Sequence, residues 1–157
     1  MKTLLAALAL AGLLIVPATA ADTPAQTAGI EVTGAWLRVL PGDLPAGGYA
    51  VLHNHGDDAR DITGADSEAY DDVMLHQSSS EGGVSRMRML KKLTLPAHGE
   101  VRLAPGGYHL MLMHARHPVT PGDTVPVTLH FADGSRLRVD FTARPANASG
   151  PAPATSR

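Results

Sequence analysis

Cysteine is absent from all 157 residues. Without it there are no disulfides, so stability has to come from packing alone. The thiolate that a blue electron-transfer copper site requires is missing too, as is any N-terminal cysteine on which a lipid anchor could be built. Charge of one sign is not in excess: 13 Lys and Arg stand against 15 Asp and Glu, a net charge of −2. No basic footprint points to nucleic acid. Beyond the first twenty residues no apolar run approaches the length needed to span a bilayer. No stretch of ten residues there has a helical apolar period, and no Gly-x-Ser-x-Gly element suggests a hydrolase.

The first twenty residues read as an export signal. Lys2 supplies the positive start, Leu4 to Val16 the apolar run, Pro17 the break, and Ala18-Thr19-Ala20 the small-x-small pattern that a signal peptidase reads. The expected mature chain begins at Ala21 and is exported as a soluble species. Its 137 residues, what remains of the 157 after the first 20, suffice for one domain with its own core.

What is present in quantity is punctuation: 16 glycines and 12 prolines. Between them lie short β-type runs at Ile30–Val39, Gly48–Leu52, Val73–His76, Ser85–Leu90, Val101–Leu103, Tyr108–Met113, Thr124–Phe131 and Arg136–Phe141. Turn formers such as Glu81-Gly82-Gly83, Pro105-Gly106-Gly107 and Asp133-Gly134 separate them. Many short strands with regular turns predict an all-β sandwich or barrel. From about Pro145 the composition turns to Pro, Ala, Ser and Gly and predicts a disordered tail over 145–157, with the domain occupying 21–144.

The soft ligands are clustered. After Met1 the methionines are Met74, Met87, Met89, Met111 and Met113, and His76, His109 and His114 share their neighbourhood. Met74/His76, Met87/Met89 and His109/Met111/Met113 are each spaced by two. On a strand that spacing puts them on one face, with Cα atoms roughly 6.6 Å apart. Leu75, Leu110 and Leu112 then face the other way, toward a core. Thioethers are soft, neutral ligands that favour Cu(I) over zinc, magnesium or calcium, and imidazole suits copper in either state. They cannot close into disulfides, at the cost of susceptibility to sulfoxide formation. Singly, a strand methionine is more often core filler than a ligand. It is the histidines sharing the face that favour coordination. Pattern alone does not choose among the five methionines and three histidines.

The string His76, ten residues, Met87, twenty-one residues, His109, one residue, Met111 resembles the H-x10-M-x21-H-x-M signature of the PCuAC copper chaperones. The flanks are similar as well: Gly34-Ala35-Trp36-Leu37-Arg38, Gly82-Gly83-Val84, Leu103-Ala104-Pro105-Gly106-Gly107 and Gly122-Asp123-Thr124-Val125. The likeness spans roughly residues 30 to 142. It implies a cupredoxin-like Greek-key β-sandwich holding Cu(I) through His76, Met87, His109 and Met111, and a periplasmic chaperone rather than an enzyme. It further implies delivery of copper toward cytochrome c oxidase centres, with an oxidase subunit or a Sco-type protein as partner. Met74 is then expected to shield the site, and Met89 and Met113 to pack below the ion. Arg86 and Arg88 should face away from Met87. His53 and His55 are an accessory Cu(II) candidate, for which solvated histidines near a turn are the plainer reading. A monomer is expected. The competing functions are copper sequestration for tolerance and a structural sandwich without metal.

Overall fold

Strands separated by short turns, most of them containing glycine, make up the computed structural model, which describes residues 25–27 and 29–151. In chain order these are β1 (Ala25–Thr27), β2 (Ile30–Arg38), β3 (Ala46–Asn54), β4 (Arg60–Asp66), β5 (Tyr70–Glu81), β6 (Val84–Met89), β7 (Leu93–Leu95), β8 (Glu100–Leu103), β9 (Tyr108–Ala115), β10 (Thr124–Phe131) and β11 (Arg136–Arg144). No helix occurs among the described residues. The all-β expectation is met. The expected signal segment lies outside the described residues.

Hydrogen bonding runs in the order β6-β5-β9-β8-β3-β2-β11-β10-β4-β7, with β1 beside β2. Most pairs are antiparallel, but β11 runs parallel to β2 and β8 parallel to β9. Only β2–β3, β5–β6, β8–β9 and β10–β11 of the ordered neighbours are also consecutive in sequence. The other connections cross over, as a Greek-key sandwich requires. The inward faces supply one core that includes Ile30, Leu52, Ile62, Leu75, Leu110, Leu112, Val127, Leu129 and Phe141. In β10 and β11 burial alternates residue by residue, the mark of strands with one face in a core and one toward water.

Three strands went unread in the sequence. β1 and β7 are three residues each. β4 (RDITGAD) buries only Ile62, so it lacks the run of apolar alternation that betrays a strand. Residues 145–151 form no strand, yet they are held against β2. Arg38 Nε and Nη2 both donate to Ala148 O, at 3.1 and 2.8 Å. A charged side chain thus ties the first residues of the expected tail to the domain at Ala148.

Candidate metal centre

Alternation places the soft side chains as expected. In β9, Leu110 and Leu112 are buried in the core, while His109 and Met111 turn to the opposite face. In β5, Leu75 is buried and Met74 and His76 are half-buried on that same outer face. Residues directly opposite on neighbouring strands share a face, so the register shows what the outer face assembles. His76 stands opposite His109 and Met74 opposite Met111 across β5–β9. Across β5–β6, Met89 stands opposite His76 and Met87 opposite Ser78. One row therefore runs Met89, His76, His109, and on β3 and β2 it continues into Tyr49 and Trp36.

The four residues singled out by the family resemblance thus come from three adjacent strands on one face. One correction concerns Met89. It was expected to pack beneath the site, but it is 62% exposed and lies on the outermost strand, as does Met87 at 56%. Leu90 N donates to Leu75 O at 2.8 Å, which fixes the alternation of hydrogen-bonded pairs. Met89 and His76 consequently form a non-hydrogen-bonded pair, with Cα atoms about 4.5 Å apart. Met87 is diagonal to His76 at roughly 7–8 Å. Sequence reasoning missed this nearness, although the signal was available. Gly82 and Gly83, both with positive φ, form a two-residue hairpin turn, and His76 and Met89 are equidistant from it. Met113 sits opposite Asp72, farther along the face and half-buried.

The histidine pair is built from behind. His109 is 7% exposed, and its Nδ1 lies 3.1 Å from Gly107 O. A carbonyl can only accept, so Nδ1 carries the proton and Nε2 keeps its lone pair for a Lewis acid. Gly106, at φ +81°, provides the left-handed backbone that brings the Gly107 carbonyl to this position. The His76 ring stands edge-on to His109, centroids 5.7 Å apart at 67°. Tyr49 flanks His109 at 6.4 Å and packs on Trp36 at 4.6 Å. Arg38 lies over both aromatic rings at 5.5 Å. Tyr49 takes this position by leaning over Gly47, where a Cβ would stand 2.5 Å from its hydroxyl.

Electrostatics favour a neutral imidazole. Burial lowers the pKa of His76 below the ordinary histidine value, and the nearby His109 lowers it further. Its Nδ1 is buried without a hydrogen-bond partner. An unpartnered buried nitrogen is costly unless something accepts its lone pair. No three of His, Cys, Asp or Glu among the described residues stand close enough to hold an ion together. The other soft side chains that share this face beside the imidazole pair are the thioethers of Met74, Met87, Met89 and Met111.

The remaining candidates separate cleanly. Arg88 turns away from Met87 and donates to Gln77 Oε1 at 3.0 and 2.6 Å. His53 and His55 stack at 6.2 Å, but His53 is 3.5 Å from Glu100 and His55 2.9 Å from Glu31. His98 pairs with Asp57 and His114 with Asp72. His130 pairs with Asp66.

Comparison with known proteins gives a consistent set of relatives. The family model described as LpqE-like matches residues 30–143. A protein of Leifsonia xyli subsp. xyli (strain CTCB07), named there as a lipoprotein, Lxx21020, is 32% identical over 140 residues, which is 85% of this chain and 84% of the relative. The solution structure of CuI-DR1885 from Deinococcus radiodurans is 33% identical with a TM-score of 0.60, over 74% of this chain and 78% of that one. The apo PmoF2 PCuAC domain superposes with a TM-score of 0.67 at 23% identity, covering 82% of this chain and 99% of that one, a likeness of fold.

Proposed function

The chain belongs to the LpqE-like family, the family of PCuAC domains, and from that premise we propose that it is an exported carrier of Cu(I) that hands its ion toward the copper centres of a cytochrome c oxidase. His76, Met87, His109 and Met111 are the proposed ligands. The observation that carries the reading is the His76–His109 pair, with no carboxylate opposite either ring, Met89 beside it in its row, and Met87, Met74 and Met111 in the adjoining rows of the same face. That donor set is soft and uncharged, and it suits Cu(I) better than any hard divalent cation. The unpartnered Nδ1 of His76 fits the same chemistry. The relative whose structure is named for CuI, DR1885, supports the metal assignment.

The site's asymmetry favours delivery over storage. His109 is fixed by Gly107 and walled by Tyr49, whereas Met87 lies exposed on the sheet's outermost strand. A ligand held on an exposed strand exchanges readily, and storage would favour enclosure. The export signal read from Lys2 to Ala20 and the relative named as a lipoprotein support a place outside the cytoplasm.

The test is anaerobic titration with Cu(I), read by X-ray absorption and by competition with a chromophoric chelator. Two sulfur and two nitrogen neighbours and one ion per chain are expected. The double variant Met87→Leu and Met111→Leu is expected to lose stoichiometric binding while keeping its fold. A first shell of nitrogen and oxygen alone, or unchanged affinity in the double variant, overturns the ligand assignment. Delivery is tested by oxidase activity in a deletion strain. Normal oxidase with lowered copper tolerance would assign sequestration instead.

A further inference from the structure

Among the described residues β6 has β5 on one side and no strand on the other. All six of its residues are exposed. Such an edge is a template for pairing with another chain, and native proteins ordinarily blunt it with proline, a bulge or charge. β6 contains no proline, and its register against β5 is unbroken from Val84 to Met89, so the charge of Arg86 and Arg88 is the one device that guards it. The Leu90 N to Leu75 O bond sets which backbone groups look outward. Val84, Arg86 and Arg88 spend theirs on β5, so Ser85, Met87 and Met89 present free N–H and C=O groups at the edge.

Two consequences follow from this parity. A strand added beside β6 extends the row Met89, His76, His109 by one residue, and the incoming side chain opposite Met89 falls on the metal face about 5.5 Å away. The reverse face of β6 carries Arg86 and Arg88 opposite Ser79 and Gln77, with no carboxylate across from either. A second copy of β6 would set arginine rows against each other, which is destabilising. A strand bearing Asp or Glu at those positions would be attracted.

We propose that the outer edge of β6 is a docking edge for the copper recipient, which adds an extended segment alternating carboxylates with Met, His or Cys. The carboxylates lie over Arg86 and Arg88, and the soft side chains line up beside Met87 and Met89. Docking and presentation of an incoming ligand are then one event. This rests on the carrier reading above for the identity of the partner, but not for the existence of the edge.

The probe is a short capped peptide, Thr-Glu-Met-Glu-Met-Glu-Thr, added to the isotope-labelled full chain with and without Cu(I). Its counterpart has lysine in place of every glutamate. Amide exchange should slow at Ser85, Met87 and Met89 with the acidic peptide. Arg86→Glu together with Arg88→Glu should weaken its binding at least about tenfold and transfer preference to the lysine peptide. Ser85→Pro removes an outward N–H without touching the β5 ladder, and should lose the peptide while retaining Cu(I) affinity. Protection elsewhere, equal binding of the two peptides, or self-association of the free chain through β6 overturns the proposal. If the apo chain takes the peptide at β6 but no Cu(I) binds, the carrier reading fails and the docking edge stands. If Cu(I) binds through two sulfurs and two nitrogens while the peptide leaves β6 untouched, the docking edge alone fails.

Discussion

His76 and His109 face each other from β5 and β9 with ring centroids 5.7 Å apart, and His53 and His55 stack at the end of β3 at 6.2 Å. By spacing and type the two pairs look interchangeable. Their company differs. Each ring of the β3 pair has its own carboxylate, Glu100 for His53 and Glu31 for His55. Neither ring of the β5–β9 pair has one, and His109 spends its Nδ1 proton on a backbone carbonyl. A carbonyl or a carboxylate that accepts one ring N–H fixes the tautomer and leaves the other nitrogen free, but only the β5–β9 pair shares its face with thioethers. What sets this pair apart for a soft metal is thus the thioethers around it as much as its position.

The sharpest way to break this contrast is to remove one ring from each pair. His109→Ala or His76→Ala is expected to lower Cu(I) affinity at least about a hundredfold, ~2.7 kcal/mol. His53→Ala and His55→Ala should leave it within about twofold. Competitive chelator titration measures both. Comparable losses at the two pairs would show that the carboxylate-paired histidines are ligands after all.

The two pairs also differ in what stands behind them. His109 has Tyr49 and Trp36 as a wall, with Arg38 above, and the wall exists because Gly47 leaves room for the Tyr49 ring. Gly47→Ala puts a methyl 2.5 Å from the Tyr49 hydroxyl and 2.9 Å from its Cζ, so the ring must move. Overpacking of this kind costs about 1–3 kcal/mol. A lowered melting temperature is expected, together with weaker Cu(I) binding as His109 loses its flank. An unchanged melting temperature would show that Tyr49 swings aside freely and is no wall.

Much of this was legible in the sequence, and the limits have physical causes. Period-two spacing assigned Met74, His76, His109 and Met111 to one face and Leu75, Leu110 and Leu112 to the other, because a strand's alternation is intrinsic to its backbone. Thr124–Phe131, rich in Val, Leu and Phe, was readable to the residue, while the run read as Arg136–Phe141 continues to Arg144. β4 was not, since only Ile62 marks it, and neither was the tie between Arg38 and Ala148, which lie 110 residues apart. The nearness of Met89 to His76 sits between these cases. It follows from the Gly82-Gly83 turn once that turn is known to be a two-residue loop. Met89→Leu tests whether the nearness matters. If Met87 is the ligand, Met87→Leu should weaken Cu(I) binding about tenfold, ~1.4 kcal/mol, and Met89→Leu by less than about threefold. The reverse order would give the ligand role to the residue directly opposite His76.

The smallest effect expected concerns protons, and it belongs to the apo protein. Burial, and secondarily His109, holds the His76 pKa in the fold below its ordinary value. The unfolded chain, with a histidine pKa near 6.5, therefore takes up a proton that the folded chain refuses. Where the unfolded state binds more protons, stability rises with pH. Above about pH 6.5 both states hold a neutral ring and His76 costs nothing. As pH falls below that value, the penalty grows until the folded-state pKa is also passed. His76→Gln removes the titrating group, so its urea midpoint should fall less than that of the parent between pH 7.5 and 5.5, with all other histidines unchanged. Equal slopes would mean that the His76 ring accepts its proton as easily in the fold as out of it. Burial of the His76 ring would then carry no proton penalty, and its readiness for a metal would rest on geometry alone.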